Sequence, residues 1–437
     1  MQCLLSRAYW LPGCMVVGGF SPLTTTAYPL RVQPPAVSIL GKLPHRHHIV
    51  DTKDTMSLLP SQRHLFDIPD EIAYFNCASN SPQLNESQRR LSEGVHSKSH
   101  PWKRTPQNFF DDAETIRRLS AETFGGDADG YAVVPAASYG MSTAARAVEP
   151  HLQAGGRILV IADEFPSVVL PWRRTAQQSG AIMVTVPAPA DGNWTQAILE
   201  SIDASVKVVA ISSCHWMNGA YIDLHAIGQA CRAAGSILAV DATQTLGAMP
   251  LPLSEIRPDF LVAAGYKWLL CPYGFGLLYV SARWRDARPL EETWLARENA
   301  ENFTTLAQYS DTYMPGARRF DVGEKCTPTI LPGAIAALEQ IRMWEVGNIA
   351  ASLAAINAKI SAHLEQLGCR VAAEGQRCPH LFGAVLPETC RVDLVAELKT
   401  RNIHISRRGN SLRVAPHLHV SEHDVERLIE GLGELIV

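Results

Sequence analysis

The chain has 437 residues, of which 46% are hydrophobic and 19% charged, with a formal net charge of -4. That length supports one large domain and a smaller one around a sizeable core. The near balance of charge offers no basic surface for nucleic acid. No apolar run is long enough to span a bilayer; residues 10–23 come nearest and are interrupted by Pro12, Gly13, Gly18 and Gly19.

The ten cysteines are scattered without a CxxC pair, so the sequence predicts no structural metal site. A chain this long needs no disulfides for a core, and a reducing compartment, the cytoplasm, is the simpler reading. The first fifty residues contain no Asp or Glu and four Lys or Arg. Residues 1–55 read as a disordered extension, or as sequence ahead of a true start at Met56. The alternative is an organelle transit peptide, a class also poor in acidic residues.

From about residue 110 the pattern alternates. A helix over Asp112–Phe124 leads to a strand over Gly130–Pro135 and a helix over Tyr139–Leu152. Strand Arg157–Ala162, helix Ser167–Gly180, strand Ala181–Val186, helix Trp194–Ile202 and strand Val206–Ser212 follow. Helix Leu224–Ala234 and strands Ile237–Val240, Phe260–Ala263 and Phe275–Val280 complete the run. Strands alternating with helices of this length predict parallel crossover units, hence an α/β domain over residues 56–328. After that the texture changes. Helices Leu331–Val346 and Ala350–Leu367, strand Leu381–Leu386, helix Val392–Arg401, strands His404–Ser406 and Leu412–Pro416, and helix Ser421–Leu435 form a smaller α+β domain over 329–437.

Two of the predicted strands end in charge. Ile237–Val240 runs into Asp241, and Phe260–Ala263 runs into Gly265-Tyr266-Lys267. A lysine at the end of an apolar strand is unusual, because a buried ammonium is costly. A carboxylate and a lysine at the C-terminal ends of buried strands would meet in one crevice above a parallel sheet. The pair suits pyridoxal phosphate: the lysine holds its aldehyde as a Schiff base and the aspartate keeps the pyridine nitrogen protonated. Taken singly, Asp241 reads equally as a helix N-cap and Lys267 as a snorkelling surface residue.

Other residues join this pair. Gln244, one turn past Asp241, is placed to donate to the cofactor's ring oxygen. Pro135-Ala136-Ala137-Ser138 lies between a strand and a helix, where backbone N–H groups cradle phosphate, and Ala137 and Ser138 are the candidate contacts. Phe165 follows a strand and is a candidate to stack on the ring; otherwise it is a core phenylalanine. Tyr266 is in reach of a phosphate oxygen. Arg413, flanked by apolar residues, suits fork binding of a carboxylate, with a structural ion pair as the competing reading. His215 and Trp216 end another strand and are candidates to face the same crevice.

Together these motifs resemble the class V aminotransferase family, whose relatives include cysteine desulfurases, kynureninases and isopenicillin-N-epimerase-like enzymes. The resemblance covers roughly residues 65–437. Tyr74-Phe75-Asn76-Cys77-Ala78-Ser79 resembles the family's opening segment near the substrate, which makes Ser79 a substrate candidate. Asp241 and Gln244 are in the desulfurase form, whereas Phe165-Pro166-Ser167, Tyr266-Lys267 and Arg413-Val414-Ala415-Pro416 look like the kynureninase branch.

The resemblance implies fold type I, a homodimer with its site at the subunit interface, and a small amino acid as substrate. It also implies Thr327, in the stretch Arg319–Thr327, as a residue reaching the neighbouring subunit's cofactor. The departures are specific. Phe165 stands where desulfurases have a stacking histidine, and Ser406–Asn410 is short and lacks their nucleophilic cysteine. Gln244 stands where kynureninases have histidine. Because both lyase signatures are incomplete, transamination is the leading expectation. A lyase or an epimerase is the alternative, and a scaffold that kept the fold without the chemistry is a further one. The absence of GxGxxG after an early strand argues against a dinucleotide enzyme.

Overall fold

The structure, a computed structural model, describes residues 57–436, so the readings made for residues 1–55 and for Met56 lie outside the described residues. In chain order the elements are β1 (Ala73–Tyr74), α1 (Asn85–Lys98), α2 (Asp111–Phe124), β2 (Tyr131–Val134), α3 (Ala137–Val148), β3 (Arg157–Ile161), α4 (Pro166–Ser179), β4 (Ile182–Val186), α5 (Trp194–Glu200), β5 (Val206–Ser212), α6 (Leu224–Ala234), β6 (Ile237–Asp241), α7 (Leu253–Ile256), β7 (Phe260–Ala264) and β8 (Gly276–Val280). The C-terminal part adds α8 (Leu331–Trp344), α9 (Val346–Gln366), β9 (Arg370–Val371), β10 (Phe382–Val385), α10 (Leu394–Thr400), β11 (Ile403–His404), β12 (Ser406–Arg408), β13 (Ser411–Val414) and α11 (Glu422–Leu435).

A seven-stranded sheet in the order β2-β8-β7-β6-β5-β3-β4 forms the centre. Its strands run in one direction except β8, which is antiparallel to both β7 and β2. The reason is local. β7 and β8 are joined by a short tight segment with no crossover helix, and a parallel return needs a longer connection. Strands β2 and β7 are buried along their whole length, as a sheet covered on both faces requires, whereas β4 at the edge leaves Ile182 exposed. The architecture is the mostly parallel α/β class read from the sequence, and no helix among the described residues is long and apolar enough to cross a membrane.

Helix α1 was not anticipated, and its packing explains why. It buries Ser87 and Gly94 rather than an apolar stripe. Ser87 Oγ donates to Gly333 O at 2.9 Å, and a Cβ at Gly94 would lie 1.8 Å from Pro328 O. Close approach through small residues leaves no hydrophobic period to read.

The second sheet, β12-β13-β10-β9, is antiparallel throughout. Its core, with Phe382, Leu398, Val414 and Leu428, also takes in Ala73 and Phe75 from the start of the described chain. The N–H groups of Ala73, Phe75 and Cys77 donate to Asn402, His404 and Ala415. The segment leading to Ser79 is thereby tied to the β11–β13 region, beside the C-terminal ends of the central strands.

Candidate active site

Asp241 is the last residue of β6, and Lys267 lies three residues beyond β7, the adjacent parallel strand. Both are buried. They line one cavity of about 240 Å³ together with Ala136, Ala137, Ser138, Phe165, Ser212, Trp216, Gln244 and Tyr266. A larger cavity, about 930 Å³, lies away from this chemistry between α1 and the residues before α8.

The Lys267 amine makes no hydrogen bond to any described residue; its Nζ lies 5.5 Å from the centroid of the Phe165 ring and 5.7 Å from that of Tyr266. Burial lowers its pKa to about 8; Asp241 opposes this, and the charges of Arg413 and Arg408 add to the lowering. Asp241 Oδ1 accepts a hydrogen bond from Thr243 N at 2.8 Å. Burial raises its carboxyl, against the opposing effects of Thr243 and Lys267.

Helix α3 begins at Ala137 and has no side-chain cap on its first turn. Its leading N–H groups are therefore free donors at the cavity wall, a ready site for an anion. Gln244 is fixed on two sides: its Nε2 donates to Ala78 O at 3.0 Å, and its Oε1 accepts from Trp268 Nε1 at 2.8 Å. The Phe165 ring meets Trp216 edge to face at 5.5 Å. Tyr266 stacks on Tyr273 with centroids 4.0 Å apart.

Arg413 is 1% exposed. It donates to Ser406 Oγ at 3.1 Å, Trp216 O at 2.9 Å, Asn76 Oδ1 at 3.4 Å and Ser79 Oγ at 2.5 Å. All four acceptors are neutral. Burial, with Arg408 next, brings its guanidinium down to about 10. A buried cation without a counter-charge is costly, which marks the position for an anionic ligand.

Four of the expected residues do not line this cavity. Arg413 and Ser79 stand beside it, joined to it through the Trp216 carbonyl that Arg413 binds, whereas His215 faces away from it, a correction to the sequence reading. Its ring stacks on Trp194 at 5.1 Å, with Nε2 3.3 Å from Ala162 O, because the chain turns at the end of β5 and aims Trp216, not His215, at the crevice. Burial lowers the His215 imidazole below its usual range. Thr327, read as reaching a neighbouring subunit's cofactor, lies outside the Lys267 cavity of its own chain; its carbonyl accepts from Ile330 and Leu331 at the start of α8.

The structure also adds residues that sequence reasoning did not single out. Thr243 fixes Asp241 and accepts from Ala264 N through its hydroxyl. Glu164 is buried behind Phe165 and Ser212. An isolated acid just after a strand gave no periodic signal. Arg408 is brought to the same hairpin face as Arg413 by the β12–β13 register.

The sequence matches the profile of the family described as Aminotransferase class-V over residues 83–426. The chain belongs to this family. It is accordingly a pyridoxal-phosphate-dependent class V enzyme, and the cavity fits that cofactor: an uncapped helix end for the phosphate, a carboxylate for the ring nitrogen, an aromatic face and a free amine. Among class V relatives, an uncharacterized aminotransferase, YcbU, of Bacillus subtilis (strain 168) is 26% identical over 329 residues, 73% of this chain and 83% of that protein. A probable cysteine desulfurase of Pyrococcus abyssi (strain GE5 / Orsay) is 27% identical over 64% of this chain and 69% of its own length. The fold is shared with the apo structure of a cysteine desulfurase from Thermococcus onnurineus NA1, at a TM-score of 0.75 and 18% identity, covering 87% of this chain and 99% of that one.

Proposed function

We propose that this enzyme acts on a small α-amino acid, that Arg413 holds the substrate's α-carboxylate, that Lys267 moves the proton at Cα, and that the reaction is transamination. The observation that carries the substrate class is the buried Arg413 guanidinium with only neutral partners, one of them the carbonyl of Trp216, which lines the cavity holding the free amine of Lys267. Bound pyridoxal phosphate supplies an aldehyde for amine exchange and a ring that withdraws electrons from Cα. The N–H groups at the start of α3, with Ala137 and Ser138, would hold the phosphate, with Tyr266 as a further partner for it. Asp241 would pair with the ring nitrogen, Gln244 would donate to the ring oxygen and Phe165 would offer an aromatic face to the ring.

With its pKa lowered to about 8, roughly a tenth of the Lys267 amine is neutral at pH 7 and able to take a proton, far more than for an ordinary lysine. Lys267 is the one amine or imidazole among the residues lining the cavity. A lysine base working on one face suits a proton transfer that stays on that face, with the Tyr266 hydroxyl the other proton-transfer group lining the cavity beside Asp241. A persulfide route needs a thiol, and no described cysteine lines the cavity. The Pyrococcus relative's name favours a lyase as the second reading, since the same lysine is able to serve an elimination that needs no cysteine. Thr327 is proposed to act on a second subunit's cofactor in a homodimer. The exposure of Tyr273, at 61%, beside Tyr266 supports a covering partner there.

The test is transfer of ¹⁵N from a labelled amino acid to an added 2-keto acid. Transamination requires labelled product that appears only with the acceptor. Release of ammonia without any acceptor overturns it in favour of the lyase.

A further inference from the structure

The hairpin that carries Arg413 brings a second guanidinium to the same place. β12 and β13 pair with Ser406 opposite Arg413 and Arg408 opposite Ser411. Alternate residues of a strand share a face, so Arg408 stands diagonal to Arg413 on one face of the hairpin. The two-residue loop Gly409-Asn410 fixes this register, with a positive φ of 57° at Gly409, where a tight hairpin turn favours glycine.

The consequence is that two guanidinium groups converge on one hydroxyl. Ser79 Oγ accepts from Arg413 Nη2 at 2.5 Å and from Arg408 Nη2 at 3.4 Å. The other hydrogen bond of Arg408 goes to the Arg407 carbonyl at 2.8 Å. Its Cζ lies 5.9 Å from the centroid of the Trp216 ring, which lines the Lys267 cavity and is anchored through its indole N–H to Asp163 O at 2.8 Å.

Neither arginine meets a carboxylate among the described residues, and the one acid lining the cavity is Asp241, next to Lys267. The charge of Arg408 is felt inside, since it lowers the pKa of both Arg413 and Lys267. Like charges drawn together on a neutral hydroxyl repel, and the repulsion is relieved by anions at that point. An α-carboxylate neutralises Arg413 and leaves Arg408 uncompensated.

We infer that Arg408 determines specificity at this site and that the substrate is an α-amino acid bearing a second carboxylate on its side chain, bound by Arg408 while Arg413 holds the α-carboxylate. This rests on the amino-acid reading given above and narrows it to dicarboxylic substrates.

The experiment is a titration of the visible absorbance of the holoenzyme with L-aspartate and L-glutamate against their uncharged isosteres, L-asparagine and L-glutamine. The acids are expected to half-saturate the spectral change at concentrations about ten-fold or more below the amides. Arg408→Gln brings that ratio close to one, and Arg408→Lys, which keeps the charge without the fork, retains part of it. Equal response to acids and amides in the wild type, or a ratio that Arg408→Gln leaves unchanged, overturns the inference while the amino-acid reading stands. No response to any of the four overturns the inference, and the amino-acid reading falls with it only if a panel of the remaining amino acids is silent too.

Discussion

Glu164 takes two hydrogen bonds from a single residue, Ser212: the backbone N–H at 2.8 Å and the hydroxyl at 2.6 Å. A third comes from Phe165 N at 2.7 Å. One buried carboxyl therefore links the end of β5 to the residue read as the ring-stacking aromatic. Burial raises it to about 7 even though all three hydrogen bonds favour the charged form, and Asp241 nearby pushes the same way as burial.

That shift makes Glu164 a source of pH-dependent stability. Its folded pKa lies above the unfolded value, so the native state binds the extra proton between about 4.5 and 7. The contribution is complete at low pH and is lost as pH rises through about 7, an effect of about 3 kcal/mol at most. Glu164→Gln cannot titrate. In melts of the holoenzyme from pH 4.5 to 8, the wild type is expected to lose stability relative to Glu164→Gln as pH rises. Parallel curves for the two proteins would show that folding leaves the Glu164 pKa unchanged.

Lys267 sets the other pH dependence. As a base it works when neutral, and the neutral fraction rises with pH through about 8. Turnover is expected to climb and level off above that value. Lys267→Ala is expected to lose at least about a thousand-fold in turnover and to alter the visible band, since base and cofactor anchor vanish together. A pH profile flat from 6 to 9 would remove the lysine from the proton-transfer step.

How far the sequence revealed this site depends on the kind of signal each residue leaves. Lys267 and Asp241 were legible because each breaks an apolar strand with a charge, and strand ends in a parallel sheet face one crevice. The α3 cradle was legible from small residues between a strand and a helix. Arg408 was not, because its meaning depends on pairing across the hairpin, which a linear pattern does not display. His215 was misplaced for a similar reason: past the end of β5 the two-residue alternation stops, and the chain's turn decides which side chain faces inward. Glu164 and α1 lacked any hydrophobic period.

Gly219 is expected to tolerate no side chain. Its φ is 73°, and a Cβ would lie 2.2 Å from Leu381 O, a backbone atom of the C-terminal part. The loop around it carries Trp216, and Gly219 O accepts from Cys378 N at 2.8 Å. Gly219→Ala is therefore strained both by its backbone conformation and by contact, at a cost of roughly 1–3 kcal/mol. The displacement also moves Trp216, which holds Arg413 through its carbonyl. The expected outcome is a lowered melting temperature with a higher KM for the amino acid. An unchanged KM would separate the loop from substrate binding.

The severest loss of stability is expected at Asp321. Its side chain is fully buried between Arg117, at 2.5 Å, and Lys325, at 2.8 Å, and its other oxygen accepts from Val133 N at 2.9 Å. Arg117 also donates to Tyr131 O, so the cluster holds β2 at Tyr131 and at Val133, in the strand that leads into the α3 cradle. Burial works against the Asp321 charge, but Arg117 and Lys325 outweigh it and hold the carboxyl below its usual range. Its contribution is present at neutral pH and is lost as pH falls through the folded pKa. Asp321→Ala removes the carboxylate that Arg117 and Lys325 share, leaving Arg117 with Glu114 at 3.0 Å and Lys325 with no carboxylate, and is expected to cost about 3–5 kcal/mol. Lys325→Met leaves the Arg117–Asp321 pair intact and is expected to cost less. In denaturant titrations at pH 7 the double variant should be more stable than the sum of the single losses predicts, because removing the lysine removes the buried cation that Asp321→Ala leaves without a carboxylate. Strict additivity would mean that the three charges act independently.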